Sequence, residues 1–282
     1  MNTDSTGLGG ELRDPVEAIL GEMGGMDRMV VAFSGGVDSS VVAALAHRAI
    51  GDNALAVTAV SETLAGRELE EARGIAGEIG IAHELMSFSE LDDPRFRANT
   101  SSRCFFCQSM RFDQLEKIAE RVDCDVLASG TNASDVGDHR PGLEAMERKG
   151  VYQPLLEHGI TKEGVRDIAK WLGLSVWDKP AMACLSSRIP HGNEVTESKL
   201  RRIERAEDVL HRRDFRQFRV RDHGGTARIE VAPGELDRLL SPSLLADVGR
   251  QIREAGFECV TVDMQGYRSG SLNPPDSSNR QS

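Results

Sequence analysis

The chain has 282 residues, 39% of them hydrophobic and 28% charged, and its 45 acidic against 34 basic side chains leave a formal charge of −11. Such a length builds one large or two smaller domains without disulfide staples, and the acidic balance argues against non-specific nucleic-acid binding. No apolar run approaches the roughly 18–20 residues of a membrane span, and the first residues lack the basic and apolar regions of a signal peptide, so a cytoplasmic protein with reduced thiols is expected.

Residues 1–13 are rich in Gly, Ser and Thr at their start and read as flexible. Asp14-Pro15 reads as the N-cap and first residue of a helix. Residues 28–33 are an apolar run, a buried strand that ends in Ser34-Gly35-Gly36. Residues 38–50 have helical apolar spacing, 55–60 is a second strand, 66–79 a helix and 83–88 a third strand. A polar loop spans 89–103, a helix 104–121 and a fourth strand 125–129. Strands alternating with helices predict an α/β fold with a parallel sheet covered on both faces. A loop rich in Asp, Gly and Pro runs to Gly142, Thr161 caps a short helix to Leu172, and 173–193 is an irregular bridge. The domain boundary is placed near Pro190, so that 14–190 form the first domain. Residues 191–268 read as a smaller α+β domain: a charged helix over 196–212, strands over 215–220 and 226–231 joined through 222–225, helices near 233–240 and 242–255, and a strand over 259–262. The tail 269–282 reads as flexible.

Ser34, Gly35, Gly36, Val37, Asp38, Ser39 and Ser40 lie between the first strand and its helix. Glycines let backbone N–H groups approach an anion, and the helix adds its positive N-terminal end. The serines offer hydroxyls, and Asp38 suits orienting donors or holding Mg²⁺ beside a pyrophosphate. The lysine-bearing P-loop pattern is absent. The loop resembles the SGGxDS loop of the PP-loop ATP pyrophosphatases, which implies cleavage of ATP between its α and β phosphates. The competing reading is a glycine-rich turn with no ligand.

Five cysteines are present: Cys104, Cys107, Cys124, Cys184 and Cys259. Cys104 and Cys107 form a C-x-x-C whose sulfurs share one helix face. A zinc site, a redox dithiol and an iron–sulfur cluster with Cys184 as third ligand all remain open on spacing alone. Arg188, four residues after Cys184, suits a thiolate or an anion. Cys124 and Cys259 read as buried small hydrophobes. Arg219 and Arg221 share one strand face, suited either to a phosphate or carboxylate ligand or to cross-strand pairing with Glu230. Thr131-Asn132 ends the fourth strand, and Asp135, Asp138, Arg140 and Glu144 follow in the loop, as ligand contacts or solvated charge. Only six lysines occur, so the basic charge is mostly arginine, from genome composition or for guanidinium forks.

Further segments carry a narrower likeness: RCFFC at 103–107, GTNASD at 130–135, HRPGLEA at 139–145, WDKPAMACLSSRIPHG at 177–192, RVRDHGGTARIE at 219–230 and GYRSGSLN at 266–273. With the loop at 34–40, they make the chain resemble the ATP-dependent sulfur transferases called LarE, over nearly its whole length. That family acts in making the nickel-pincer nucleotide cofactor of lactate racemase. The resemblance implies that ATP adenylylates a carboxylate of a pyridinium dicarboxylate mononucleotide and that sulfur then displaces AMP, leaving a thiocarboxylate. In members with one cysteine matching Cys184, that residue gives up its own sulfur. Members with three cysteines resemble an iron–sulfur version, so the resemblance implies a [4Fe-4S] cluster on Cys104, Cys107 and Cys184, with sulfide or another sulfur donor. Gln108 stands where the family pattern often has lysine. A homo-oligomer, hexameric by the same resemblance, is expected. A tRNA thiolase and a non-catalytic nucleotide-binding protein are the alternatives.

Overall fold

The computed structural model describes residues 7–124, 126–135, 141–180 and 183–268. The tail read as flexible, and Asp138 and Arg140 of the acidic loop, lie outside the described residues. In chain order the elements are α1 (Gly10–Gly24), β1 (Met29–Ala32), α2 (Val37–Ile50), β2 (Ala54–Val60), α3 (Gly66–Ile79), β3 (Ala82–Ser87), α4 (Pro94–Arg97), α5 (Arg103–Arg121) and β4 (Val126–Ala128). There follow α6 (Pro141–Arg148), α7 (Pro154–Glu157), α8 (Lys162–Trp171), α9 (Glu197–His211), β5 (Phe218–His223), β6 (Thr226–Val231), α10 (Leu236–Leu239), α11 (Pro242–Glu254) and β7 (Cys259–Val262). Two compact units share these residues: one takes 7–90 and 104–180, the other 91–103 and 183–268. Pro190, where the sequence places the boundary, lies in the second unit.

The first unit is built on a four-stranded parallel sheet in the order β3-β2-β1-β4. β1 is apolar throughout because both of its faces are covered. Met29 and Val31 pack with residues of α1, α2, α3 and α8, while Val30 packs with Phe112 and Leu115 of α5 and Met146 of α6. All the strands run the same way, so the segments after β1, β2, β3 and β4 meet at one edge, where the amino end of α2 also opens.

Two elements differ from the expectation. α1 begins at Gly10, so Asp14 and Pro15 lie inside it. Leu12, Val16, Ile19 and Met23 recur at helical spacing against the core, and that packing outweighs the one backbone bond Pro15 cannot donate. Residues 141–148 are helical, not loop, so Glu144 sits on a helix and pairs with Arg148 one turn later at 2.5 Å.

The strand edges are tied laterally. The Thr58 hydroxyl donates to the Phe33 carbonyl at 2.9 Å, which leaves it to accept from His83 Nε2 at 2.8 Å. Phe33 is the last residue before the glycine loop, so β2 and β3 together fix where that loop begins.

The second unit carries a three-stranded sheet in the order β5-β6-β7, antiparallel between β5 and β6 and parallel between β6 and β7. β5 extends to His223, beyond the expected end at Val220, because Gly224 and Gly225 at φ 64° and 101° close a two-residue hairpin. Val220, Ile229, Leu200, Ile203, Val248 and Ile252 fill its core. Thr196 caps α9 by accepting from the Lys199 N–H. Cys259 is exposed, contrary to the buried position expected of it: β7 is an edge strand and Cys259 falls on its outward phase. Cys124 is buried as expected.

Burial, and then the Arg73 charge, hold the His83 pKa below its ordinary 6.5. The fold therefore favours neutral imidazole. Its contribution to stability is complete above about pH 6.5 and is lost as pH falls through that value toward the lowered native pKa. The urea midpoint of wild type is expected to drop more between about pH 7.5 and pH 5.5 than that of His83→Gln. Equal drops in the two proteins would show that His83 does not carry this dependence.

Candidate active site

The glycine loop is shaped by two places where no Cβ fits. Gly35 has φ 68°, and a Cβ there would lie 2.6 Å from Ala72 Cα of α3. At Gly130, which follows β4, a Cβ would lie 2.6 Å from the Ser39 nitrogen. Both contacts are with backbone and have no soft way out. They let β4 and α3 close on the loop, and α2 then starts directly after Gly36 with no side-chain cap. Its first N–H groups are left facing the loop, the arrangement that takes an anion. Ser39 Oγ donates to the Gly36 carbonyl at 3.2 Å and accepts from the Ser34 N–H at 3.2 Å. Ser34 is exposed, whereas the Ser40 hydroxyl is buried and has no hydrogen-bond partner.

Asp38 projects from the first turn of α2. It accepts from Asn132 Nδ2 at 3.1 Å and pairs with Lys162 Nζ at 2.5 Å. Asn132 is oriented by its side-chain oxygen Oδ1, which accepts from the Ser134 N–H at 2.9 Å. The Ser134 hydroxyl in turn accepts from the Lys162 N–H at 3.0 Å, so the turn after β4 and the start of α8 are built together. Lys179 Nζ donates to the Gly35 carbonyl at 3.1 Å and pairs with Glu71 at 2.6 Å. Two ammonium groups thus stand at a loop whose own sequence lacks a lysine. Neither lysine stands out in the sequence as a site residue. A signal existed for Lys162: a cation in the first turn of a helix opposes the helix dipole and needs a local reason. One partly exposed carboxylate, Asp38, beside a glycine loop at a helix amino end suits Mg²⁺, which takes one or two carboxylates and fills its shell with phosphate oxygens and water.

Cys104 and Cys107 both lie on the first turns of α5, Cys104 exposed and Cys107 buried. The Cys107 thiol donates to Glu90 Oε1 at 3.4 Å, and Arg111 Nη2 approaches the same sulfur at 3.8 Å. Glu90 is fully buried, accepts from the Thr63 hydroxyl at 3.0 Å, and its Oε2 has no hydrogen-bond partner. In the sequence Glu90 reads only as an acid of the polar loop 89–103. Among the described residues no three His, Cys, Asp or Glu side chains converge to hold a metal ion. Within the first unit, Cys104 and Cys107 offer two thiols one helical turn apart, the donor chemistry of part of an iron–sulfur ligand set.

Cys184 is partly exposed and sits at the head of a single turn, Leu185–Arg188. Arg188 is almost wholly buried. Its guanidinium forks onto Glu207, Nε to Oε1 at 2.8 Å and Nη2 to Oε2 at 2.9 Å, and its Nη1 donates to the carbonyls of Ala183 and Cys184. Arg188 therefore acts on the backbone around Cys184. Arg221 donates from both Nε and Nη2 to Glu230 Oε2, at 3.0 and 2.9 Å, and from Nη1 to the Ser187 carbonyl at 3.0 Å. Arg228 reaches the other Glu230 oxygen at 2.8 Å. Glu230 thus pairs with Arg221 across the two strands and with Arg228 along its own strand. Arg219 lies 5.2 Å from the Tyr267 ring and donates to the Phe218 carbonyl at 2.6 Å. Burial and the nearby Arg188 charge lower its pKa. Cationic charge is crowded here, the condition under which an added anion is favoured.

The family model described as NAD synthase matches residues 11–104. The chain is 42% identical over 262 residues to the uncharacterized protein slr1717 of Synechocystis sp., covering 93% of this chain and 98% of that one. It is 34% identical over 250 residues to the pyridinium-3,5-bisthiocarboxylic acid mononucleotide synthase of Lactiplantibacillus plantarum, covering 88% of this chain and 90% of the relative. A tRNA-specific 2-thiouridylase of Rickettsia africae is 30% identical over 201 residues, but this covers only 58% of the chain and 55% of the relative.

Replacing Glu207 by Gln strands the Arg188 charge in a site that water does not reach. The expected loss of stability is about 3–5 kcal/mol, read from urea denaturation. A loss below about 1 kcal/mol would mean that the pair contributes as weakly as one on the surface.

Proposed function

Because the chain belongs to the family of the pyridinium-3,5-bisthiocarboxylic acid mononucleotide synthase, the LarE sulfur transferases, we propose that it uses ATP to convert a carboxylate of pyridinium-3,5-biscarboxylic acid mononucleotide into a thiocarboxylate. The observation that carries the proposal is the loop from Ser34 to Ser40, which opens at the amino end of α2, carries Asp38 and is flanked by Lys162 and Lys179. The substrate carboxylate attacks the ATP α-phosphorus and pyrophosphate leaves into the loop. Backbone N–H groups of Gly35 and Gly36, the Ser34 and Ser39 hydroxyls, and Ser40 at the next position form the proposed binding set. Asp38 would hold Mg²⁺, which neutralises phosphate charge when bound. Lys162, now paired with Asp38, becomes available to the phosphates once the metal takes that carboxylate. Two anions must meet in this step, so positive charge fixed in advance lowers its barrier.

Arg219 and Arg221 are proposed to bind the phosphate or carboxylate of the mononucleotide, with Arg221 kept in place by Glu230. Sulfur then displaces AMP. Cys104, Cys107 and Cys184 are proposed to hold a [4Fe-4S] cluster, which when bound supplies an open iron able to carry sulfide. Cys184 and Arg188 complete the proposed catalytic set, Arg188 by fixing the carbonyls of residues 183 and 184. A cytoplasmic location and a homo-oligomer, hexameric by the resemblance, go with this reading. No nucleic acid or membrane is a proposed partner. No helix among the described residues is long and apolar enough to cross a membrane.

Anaerobic reconstitution with iron and sulfide tests the sulfur carrier. About four irons per chain and a broad absorption band near ~400 nm, both lost in Cys104→Ala, Cys107→Ala and Cys184→Ala, are expected. No iron uptake by a folded protein that still releases pyrophosphate would transfer the role to Cys184 as expendable donor. Mass loss at Cys184 after one turnover would then be sought. Lys162→Ala is expected to slow ATP-dependent pyrophosphate release about 100-fold; an unchanged rate removes Lys162 from the site. The partial likeness to a tRNA thiolase supports a second reading, which tight, salt-sensitive tRNA binding would favour. Pyrophosphate release that depends on the mononucleotide excludes a non-catalytic binding protein.

A further inference from the structure

Residues 91–103 belong to the same compact unit as Cys184, although they precede it by a long stretch of chain. Their purpose is legible in the carbonyls they bind. Asn99 Nδ2 lies 3.2 Å from the Ile189 carbonyl oxygen, 2.8 Å from that of Pro190 and 2.8 Å from that of Asn193. Asn99 Oδ1 accepts from Arg103 Nη1 at 2.6 Å, and the same nitrogen donates to the Ser186 carbonyl at 2.9 Å. The Asn99 backbone carbonyl accepts from the Gly192 N–H at 3.0 Å, and the Arg97 carbonyl from the Val195 N–H at 2.9 Å. Asn99 is fully buried and holds φ 51°, a left-handed backbone that asparagine tolerates better than most side chains. Position 99 therefore demands a residue that accepts this turn and also offers both an amide donor and an acceptor.

We propose that Asn99 and Arg103 are positioning residues for Cys184: they lock the backbone on its carboxyl side, so that the thiol is presented in one arrangement. The part Cys184 plays in sulfur transfer rests on the function proposed above; the locking rests on the hydrogen bonds alone. Residues 186–193 form neither strand nor long helix; within the segment only single turn bonds, from the Ile189 N–H to Ser186 and from the Asn193 N–H to Pro190, supplement these side-chain donors. Deleting the Asn99 amide takes away the donor that serves the Ile189 and Asn193 carbonyls, while the Ser186 and Pro190 carbonyls keep only the weaker turn bonds from the Ile189 and Asn193 N–H groups at 3.2 and 3.1 Å, and the segment opens locally to reach water. Sulfur must meet an acyl adenylate within a narrow range of approach, so a loosened loop slows transfer while adenylylation at the glycine loop continues.

The test is alkylation of Cys184 by iodoacetamide in nucleotide-free protein, followed by peptide mass spectrometry, with buried Cys124 as internal reference. Asn99→Gly keeps the left-handed backbone and deletes the amide. Arg103→Met keeps the stem and deletes the guanidinium. Arg103→Lys is the milder change, used if either of the others fails to fold. Alkylation of Cys184 is expected to rise about tenfold in the variants, the factor that about 1.4 kcal/mol of lost local stability gives, with Cys124 unchanged. Sulfur transferred per pyrophosphate released is expected to fall by a similar factor. An unchanged Cys184 rate in folded variants overturns the proposal, as does equal acceleration at Cys124, which marks general loosening. Wild-type protein that releases no pyrophosphate with ATP and the mononucleotide would refute the functional reading, and the alkylation rates would still decide the locking.

Discussion

Backbone buried outside helices and strands must find hydrogen-bond partners elsewhere, and the segment around Cys184 meets that constraint with side chains. Arg188 serves the carbonyls of residues 183 and 184, Arg103 that of 186, Arg221 that of 187, and Asn99 those of 189 and 190. Each arginine brings a charge that must itself be matched. Glu207 matches Arg188 and also accepts the Val220 N–H at 3.1 Å, so the same carboxylate holds the loop and β5. Glu230 matches Arg221 from the neighbouring strand. The loop is thus irregular in shape but held at successive carbonyls by side-chain donors. That is the expected condition for a segment that presents a reactive sulfur.

The first unit solves its problem by the opposite means. Its glycine loop is defined by side chains that are missing: Gly35 lets α3 close in, and Gly130 lets the end of β4 touch α2. Charge arrives from distant positions. Lys162 comes from the start of α8 and Lys179 from the bridge that follows it. A parallel sheet favours this division of labour, since its strand ends and helix starts share one edge. The loop supplies oriented N–H groups, and surrounding elements supply charges that can exchange partners when a nucleotide and its metal arrive.

The parallel unit was readable because its signals are local and repeated. Apolar runs bounded by glycine mark β1 and β2, and Thr161 with Gly173 brackets α8. α6 was not readable: it spans eight residues, and a preceding run of Asp, Gly and Pro obscures its apolar positions Leu143 and Met146. α1 was misplaced at its start because Asp14-Pro15 is a stronger local signal than one leucine at position 12. Within the site, the loop and the cysteines declared themselves by residue type. Their partners did not. Glu207 lies in a helix so rich in charge that every acid there reads as solvated, yet it is fully buried. Glu90 looks like a loop acid and is equally buried. Burial of a charged residue depends on what arrives from elsewhere in the chain, which periodicity does not encode. Asn99 is the extreme case, since its partners lie some ninety positions away.

The preponderance of arginine over lysine acquires a meaning in the second unit. Arg188 meets Glu207 through two nitrogens and two oxygens, and Arg202 meets Asp222 the same way at 2.6 and 2.8 Å. An ammonium has no such fork, and it holds its water more tightly. Lysine at 188 would have to choose between Glu207 and the carbonyls of residues 183 and 184, and either choice takes a donor from Glu207 Oε2 or from the Ala183 carbonyl. Arginine serves all of them from one plane. The bond to Glu207 fixes the plane, and the plane fixes where the remaining N–H groups point. Burying such pairs is weak support for stability, since desolvation offsets most of the attraction. What these pairs provide instead is orientation: a rigid donor array around one short segment of backbone. Arginine is therefore favoured at 188 by geometry, whereas exposed Arg201 of α9 and Arg250 of α11, which pair one turn along their own helices, carry no such requirement.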